Sequence, residues 1–253
     1  MRRFISSTVI VLAISLAAPA AAQSDISARY EMGDDAPEFG AVDMQMTFEV
    51  STEGFVRVQM RGMPAYYLYR DETMYVVQRG VDGPTVHVVS ELMNVQMEHA
   101  REMFGEDFGS GFDGSKKPEI SYVAMGEETV NGRSGTAYAM QDDEGQPPLR
   151  MQFVISDDPE LAPLGLAMRE ANSGLTRGVG GPFGRLGPTL DEMNSILAEG
   201  APLKMSMMEL TDVSLDDIPD ERFELPAEPQ TEAQIRAQMM PFDPAPNLPK
   251  LND

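Results

Sequence analysis

From Val42 to Val50 polar and apolar residues alternate without a break. Val42, Met44, Met46, Phe48 and Val50 are apolar, and Asp43, Gln45, Thr47 and Glu49 lie between them. A period of two gives a β-strand one buried and one wet face, and it scatters apolar groups around a helix. Ile26, Ala28, Tyr30 and Met32 repeat the pattern. After the turn at Thr52-Glu53-Gly54 so do Val56, Val58 and Met60, with Arg57, Gln59 and Arg61 on the other side. Runs at 66–70, 73–78 and 85–90 follow at tight-turn spacing. Such a chain folds as a meander of antiparallel strands whose oily faces need a common cover.

The second half carries the sharpest turn signal, Asn131-Gly132 between two strand-like runs. In a type I′ turn both central residues need positive φ, which Asn and Gly tolerate. Val130 then pairs with Arg133. Counting outward without interruption sets Met125 opposite Tyr138 and Val123 opposite Met140, all on one face. Residues 149–156 read as the next strand. A last long strand is expected from Leu203 to Val213, with Leu203, Met205 and Met207 on one face and a bulge where the phase slips to Met208 and Leu210.

Helical spacing appears three times. Met93, Met97, Ala100 and Phe104 mark a helix over 91–104. Leu161, Leu164, Met168 and Ala171 mark a shorter one, weakened by Pro163 and Gly165. A capping box, Thr189 to Glu192, opens a third with Leu190, Met193, Ile196 and Leu197, stopped by Gly200. Between the last two, the glycine-rich stretch 174–187 reads as a connector able to swing over an opening. The expected fold class is α+β: a curved antiparallel sheet, an incomplete β-barrel of roughly eight to ten strands, covered on one side by about three helices.

The chain ends differ from its middle. Arg2 and Arg3 precede an apolar run from Val9 to Ala18 broken only by Ser15, then Pro19 and a small-residue stretch. This is the pattern of a secretory signal peptide over residues 1–22, cleaved between Ala22 and Gln23. No later apolar run approaches spanning length, so no transmembrane segment is expected after cleavage. Residues 23–226 form the expected domain. Residues 227–253 are proline-rich and are expected to be a mostly extended, disordered tail with two helical turns around Thr231 to Met240.

Export favours disulfides, yet the chain has no Cys, which removes disulfide staples, thiol nucleophiles and thiolate metal sites together. Without Arg2 and Arg3 there are 17 basic against 41 acidic residues, a net charge of −24. That surface repels phosphate backbones and anionic lipid, so no nucleic-acid partner is expected.

Nothing assembles a catalytic signature, and the chain reads as a non-enzyme without cofactor or metal. His87 and His99 stand in no metal-ligand spacing. No serine has glycines two residues either side. Gly178 and Gly180 begin a phosphate-loop pattern that Phe183 breaks. Glu106, Asp107 and Asp113 lack the spacing of a calcium loop. The pairs Asp142-Asp143, Asp157-Asp158 and Asp216-Asp217 sit in turns and face solvent. Arg177 and Arg185 are solvated charges of the connector. Methionine is the unusual count, 20 of 253. Met is flexible and polarizable, suited to a core or to a wall that adapts to irregular guests. Its thioethers also bind Cu(I), with Met44 and Met46, Met60 and Met63, or Met205 and Met207 as candidate ligands.

The order of elements, the motif Glu128-Thr-Val-Asn-Gly-Arg133 followed by Tyr138, and the closing Phe223-Glu-Leu-Pro226 together resemble the LolA-like superfamily of bacterial periplasmic proteins. The likeness is to a branch distant from the lipoprotein carriers. It implies a periplasmic half-barrel over residues 24–226 with an apolar cavity between sheet and helices. Its implied partners are a hydrophobic small molecule or acyl chain, or a lipidated protein. Shared apolar faces nominate Met44, Met46, Phe48, Val58, Met60, Met125, Tyr138, Met205 and Met207 as cavity lining. Two other readings stand beside this one: a cell-envelope interaction module using the acidic surface and C-terminal tail, and Cu(I) handling by methionine. The pattern sets no oligomeric state.

Overall fold

The computed structural model describes residues 24–33, 44–105, 121–141, 152–178 and 186–239. The signal segment, the loop carrying Asp107 and Asp113, Asp142-Asp143, and the centre of the glycine-rich connector lie outside the described residues, as do residues 240–253.

Eleven strands form one antiparallel sheet. The first six are β1 (Ile26–Met32), β2 (Gln45–Val50), β3 (Val56–Met60), β4 (Ala65–Arg70), β5 (Thr73–Gly80) and β6 (Gly83–Val88). The rest are β7 (Ser121–Val130), β8 (Arg133–Gln141), β9 (Gln152–Ser156), β10 (Ala201–Met205) and β11 (Met208–Ser214). Their spatial order is β6-β5-β4-β3-β2-β1-β11-β10-β9-β8-β7. Two meanders are therefore stitched together by their first and last strands, with Tyr30 of β1 opposite Leu210 of β11. The sheet is open, and β6 and β7 are its edges. Helix α1 (Val89–Phe104) carries the chain from one edge strand to the other. Helices α2 (Ala162–Gly178) and α3 (Leu186–Leu197) are inserted between β9 and β10, and α4 (Glu232–Gln238) lies near the C-terminus.

The α+β class and the antiparallel sheet are as expected. The sheet has one strand more than the expected range, and four helices are described rather than three.

One layer of helices covers one face. Ile26, Ala28 and Tyr30 of β1 are fully buried in a single cluster with Leu164, Ala167, Met168 and Ala171 of α2 and Ile196 and Leu197 of α3. The Tyr30 hydroxyl donates to the Pro202 carbonyl at 2.7 Å, which satisfies the polar end of a buried ring. The glycine and proline expected to weaken α2 have positive roles. Pro163 stands in the first turn, where its missing N–H leaves no helical bond unmade. At Gly165 a Cβ would lie 2.3 Å from the Gly200 carbonyl oxygen, and at Gly200 one would lie 2.0 Å from that of Ser156. Three backbones stack there with no room for a side chain. Helix α2 runs on through Gly178 and α3 begins at Leu186, a turn before the capping box at Thr189, so the expected connector is shorter than its glycines suggested.

Two registers differ from expectation. Asn131 (φ 48°) and Gly132 (φ 84°) form the expected turn, and Val130 pairs with Arg133. A bulge at Met125 then shifts the count, so Tyr138 faces Ala124 and Met140 faces Tyr122. The expected strand from 203 to 213 is two strands: Ser206 (φ 57°) and Met207 turn the chain back, and β10 pairs with β11.

The C-terminal segment belongs to the fold through Met239. Arg222 bonds Glu49 of β2, and the Phe223 carbonyl accepts from Arg70 of β4 at 3.0 Å, both on the face away from α1–α3. The Gln230 amide then donates to the Val86 carbonyl of edge strand β6 at 2.8 Å. To connect these points the chain must cross β4, β5 and β6, which accounts for the complete burial of Leu68, Val77 and Val86 on that face. Helix α4 opens with a capping box of Thr231 and Gln234, as its two expected turns require, and packs on α1 with Ile235 only 3% exposed. Residues 227–239 are thus a packed strap and not a disordered tail.

Candidate ligand-binding site

The nine nominated residues divide into three groups. Phe48 and Tyr138 are buried in the central cluster, and Met46, Val58 and Met205 pack against it while staying half-buried. Met44 just before β2, Met60 at the end of β3, and Met207 in the β10–β11 turn are also half-buried. Met125 is 63% exposed and stands at the bulge, where it faces no residue of β8. Over the middle of the sheet, α2 packs on β1, β2 and β10.

At one end the picture changes. Strands β1, β3 and β10 finish there and β2 and β11 begin there. Met60 faces Met46, Met205 faces Met208, and Met208 faces Met32. Met44, one step beyond the Glu31–Gln45 pair, continues the line. These strands are consecutive in the sheet, in the order β3-β2-β1-β11-β10. Each carries a buried branched aliphatic farther along the same face and methionine at this end: Val56 and Met60, Val50 and Met46, Ile26 and Met32, Leu210 and Met208, Leu203 and Met205. All six end methionines, Met44 included, are half-buried. Charged groups of the same strands face the other way and are paired there. Gln45 donates to Glu31 at 2.8 Å, and Lys204 meets Glu209 at 3.0 Å and Glu128 at 3.6 Å. Local pattern does not nominate Met32 and Met208, because only the cross-strand register gathers them.

A polar pocket of about 280 Å³ lies toward the opposite end, lined by Glu127, Ser134, Thr136, Tyr138, Asp157 and Glu199 among others. The Tyr138 hydroxyl donates to Glu199, and this bond, with burial, holds the phenol protonated up to about 12. The pocket wall is mainly polar, with Tyr138 and Ile155 as the apolar members.

His87 is on the face opposite Val86, as its strand parity requires, yet it is 5% exposed, since both faces of β6 are covered. Its Nδ1 has no hydrogen-bond partner, and burial lowers its pKa. His99 is half-buried on α1 with Nδ1 3.6 Å from Glu102. Among the described residues no three His, Asp or Glu side chains could hold a metal ion, and no helix is long and apolar enough to cross a membrane. No family model and no curated protein sequence matches the chain.

Proposed function

We propose that this is an exported, periplasmic, non-enzymatic protein that binds a hydrophobic ligand, a free acyl chain or the lipidated part of a client, at the methionine end of the helix-side face. One observation carries the reading. The apolar face of five consecutive strands is buried away from this end, by branched aliphatics with Ala28, Tyr30 and Phe48, and stays half-buried at the end, where methionine stands. Unbranched thioether side chains reshape around an irregular guest at little strain, which stiff Val and Ile cannot do. The signal-like N-terminus and the resemblance to the LolA-like superfamily support the same reading. Native mass spectrometry of protein taken from its own periplasm tests it. A co-purifying acyl species is expected, and ligand-free protein that also fails to take up a fatty acid in vitro overturns it.

A further inference from the structure

We infer that three thioethers at this end, Met32, Met205 and Met208, form a site for a soft monovalent metal ion, Cu(I). The inference stands on the cross-strand register of the three methionines and does not need the acyl ligand. Met205, Met208 and Met32 are direct neighbours on three consecutive strands, β10, β11 and β1, and they share the helix-side face. Directly opposed side chains in antiparallel pairs start about 4.5–5.5 Å apart at Cβ, within the swing of an unbranched side chain with three rotatable bonds. Three sulfurs rising from one row can close on a point above Met208. Met44, next along the line, supplies a fourth donor.

The surroundings choose the ion. Neutral thioethers are soft donors that select Cu(I) and hold hard cations poorly. Among the described residues, Glu31, Lys204 and Glu209 of these strands and Glu128 of β7 are paired on the other face, so the strands themselves offer the row sulfur and no oxygen or nitrogen ligand. With no Cys anywhere in the chain, thiolate chemistry does not compete for the ion. The acidic excess of the protein, −22 overall, draws cations toward it. A wall that needed only apolar volume could use Leu, as these strands do in their centre at Leu203 and Leu210. Sulfur at the adjoining position of each strand adds a property that volume does not.

Anaerobic titration of the full chain with Cu(I) against a chromophoric Cu(I) chelator tests the site, beside the triple variant M32L/M205L/M208L. Leucine keeps apolar volume and removes the sulfur. Wild type is expected to withdraw one Cu(I) from the chelator and the variant to bind about a hundredfold more weakly. Because a triple core-edge change can disturb folding, Ag(I) added to wild type labelled with 13C-methyl methionine gives a second reading. The methyl signals of Met32, Met205 and Met208 should move first and together. Wild type that does not compete with the chelator, a folded variant that competes equally well, or silver shifts confined to other methionines would each overturn the assignment. Loss of acyl binding with Cu(I) binding intact would strike only the proposed function.

Discussion

Arg222 of the C-terminal segment closes on Glu49 of β2, a carboxylate that already accepts from the Arg57 guanidinium at 2.8 Å. Arg57 and Glu49 are both nearly buried, while Arg222 is half exposed. Arg57 also donates to Gln59 at 2.6 Å and lies 4.3 Å from the Tyr66 ring centre. One acidic residue thus neutralises a buried cation of the sheet and anchors the strap that covers it. Glu49→Ala leaves Arg57 buried without its carboxylate, and should cost about 3–5 kcal/mol. Arg222→Ala removes a partly solvated partner and should cost about 1 kcal/mol or less. Urea denaturation of the two variants checks the ordering, and equal effects would contradict the assigned roles.

Ile235 fastens the strap at its far end. Truncation to Ala should cost about 2–4 kcal/mol, the range for emptying a buried aliphatic site. Limited proteolysis should then cut first between Phe223 and Met239. If cleavage there is no faster than in wild type, α4 does not hold the strap down.

The backbone stack of Gly165, Gly200 and Ser156 leaves no room for a methyl group. Gly200→Ala should destabilise by about 1–3 kcal/mol through forced backbone movement. Exposed Ser195 on α3, five residues earlier, provides the comparison: Ser195→Ala should stay within about 0.5 kcal/mol. Thermal melts of both variants decide this, and equal melting temperatures would mean that the stack can yield.

His87 gives the fold a pH dependence. Burial lowers its pKa below the ordinary value near 6.5, so the folded state resists the proton that the unfolded chain accepts. Its contribution is fully present above about pH 6.5 and is lost as pH falls from there through the lowered folded value. His87→Phe should therefore flatten the fall in denaturation midpoint between about pH 7.5 and 5. A variant as acid-sensitive as wild type would show that other groups set the slope.

Local chemistry made much of this fold legible. Asn131-Gly132 announced its own backbone angles, and alternation assigned the buried face of β1, whereas in β2 and β3 the expected wet residues Gln45, Glu49 and Arg57 are buried as well. Other features were hidden because they depend on distant segments or on single backbone angles. Gly126, at φ 117°, marks the bulge beside the exposed Met125, and a glycine inside a strand was the available cue. Ser206 takes positive φ without the usual turn residues, so a hairpin read as a slip in phase. Strands β4 to β6 carry near-continuous apolar runs, which signal burial on both faces: Tyr66 to Tyr69, Met74 to Val77, and Val86 to Val89 interrupted only by His87. The second cover comes from residues near 223–230, too far along the chain for any local pattern to reveal. The methionine row has the same character: its members lie on five strands, and only register brings them side by side.

Whether a hydrophobic ligand enters at the methionine end decides between the proposed binding protein and a solid scaffold. Methyl NMR of 13C-methionine-labelled protein titrated with a saturated fatty acid reads that place residue by residue. Binding at the methionine end should shift Met32, Met44, Met46, Met60, Met205 and Met208 together and leave the buried Met74 and Met168 unmoved. An unchanged spectrum at saturating fatty acid, or shifts confined to methionines away from this end, would contradict the proposed site.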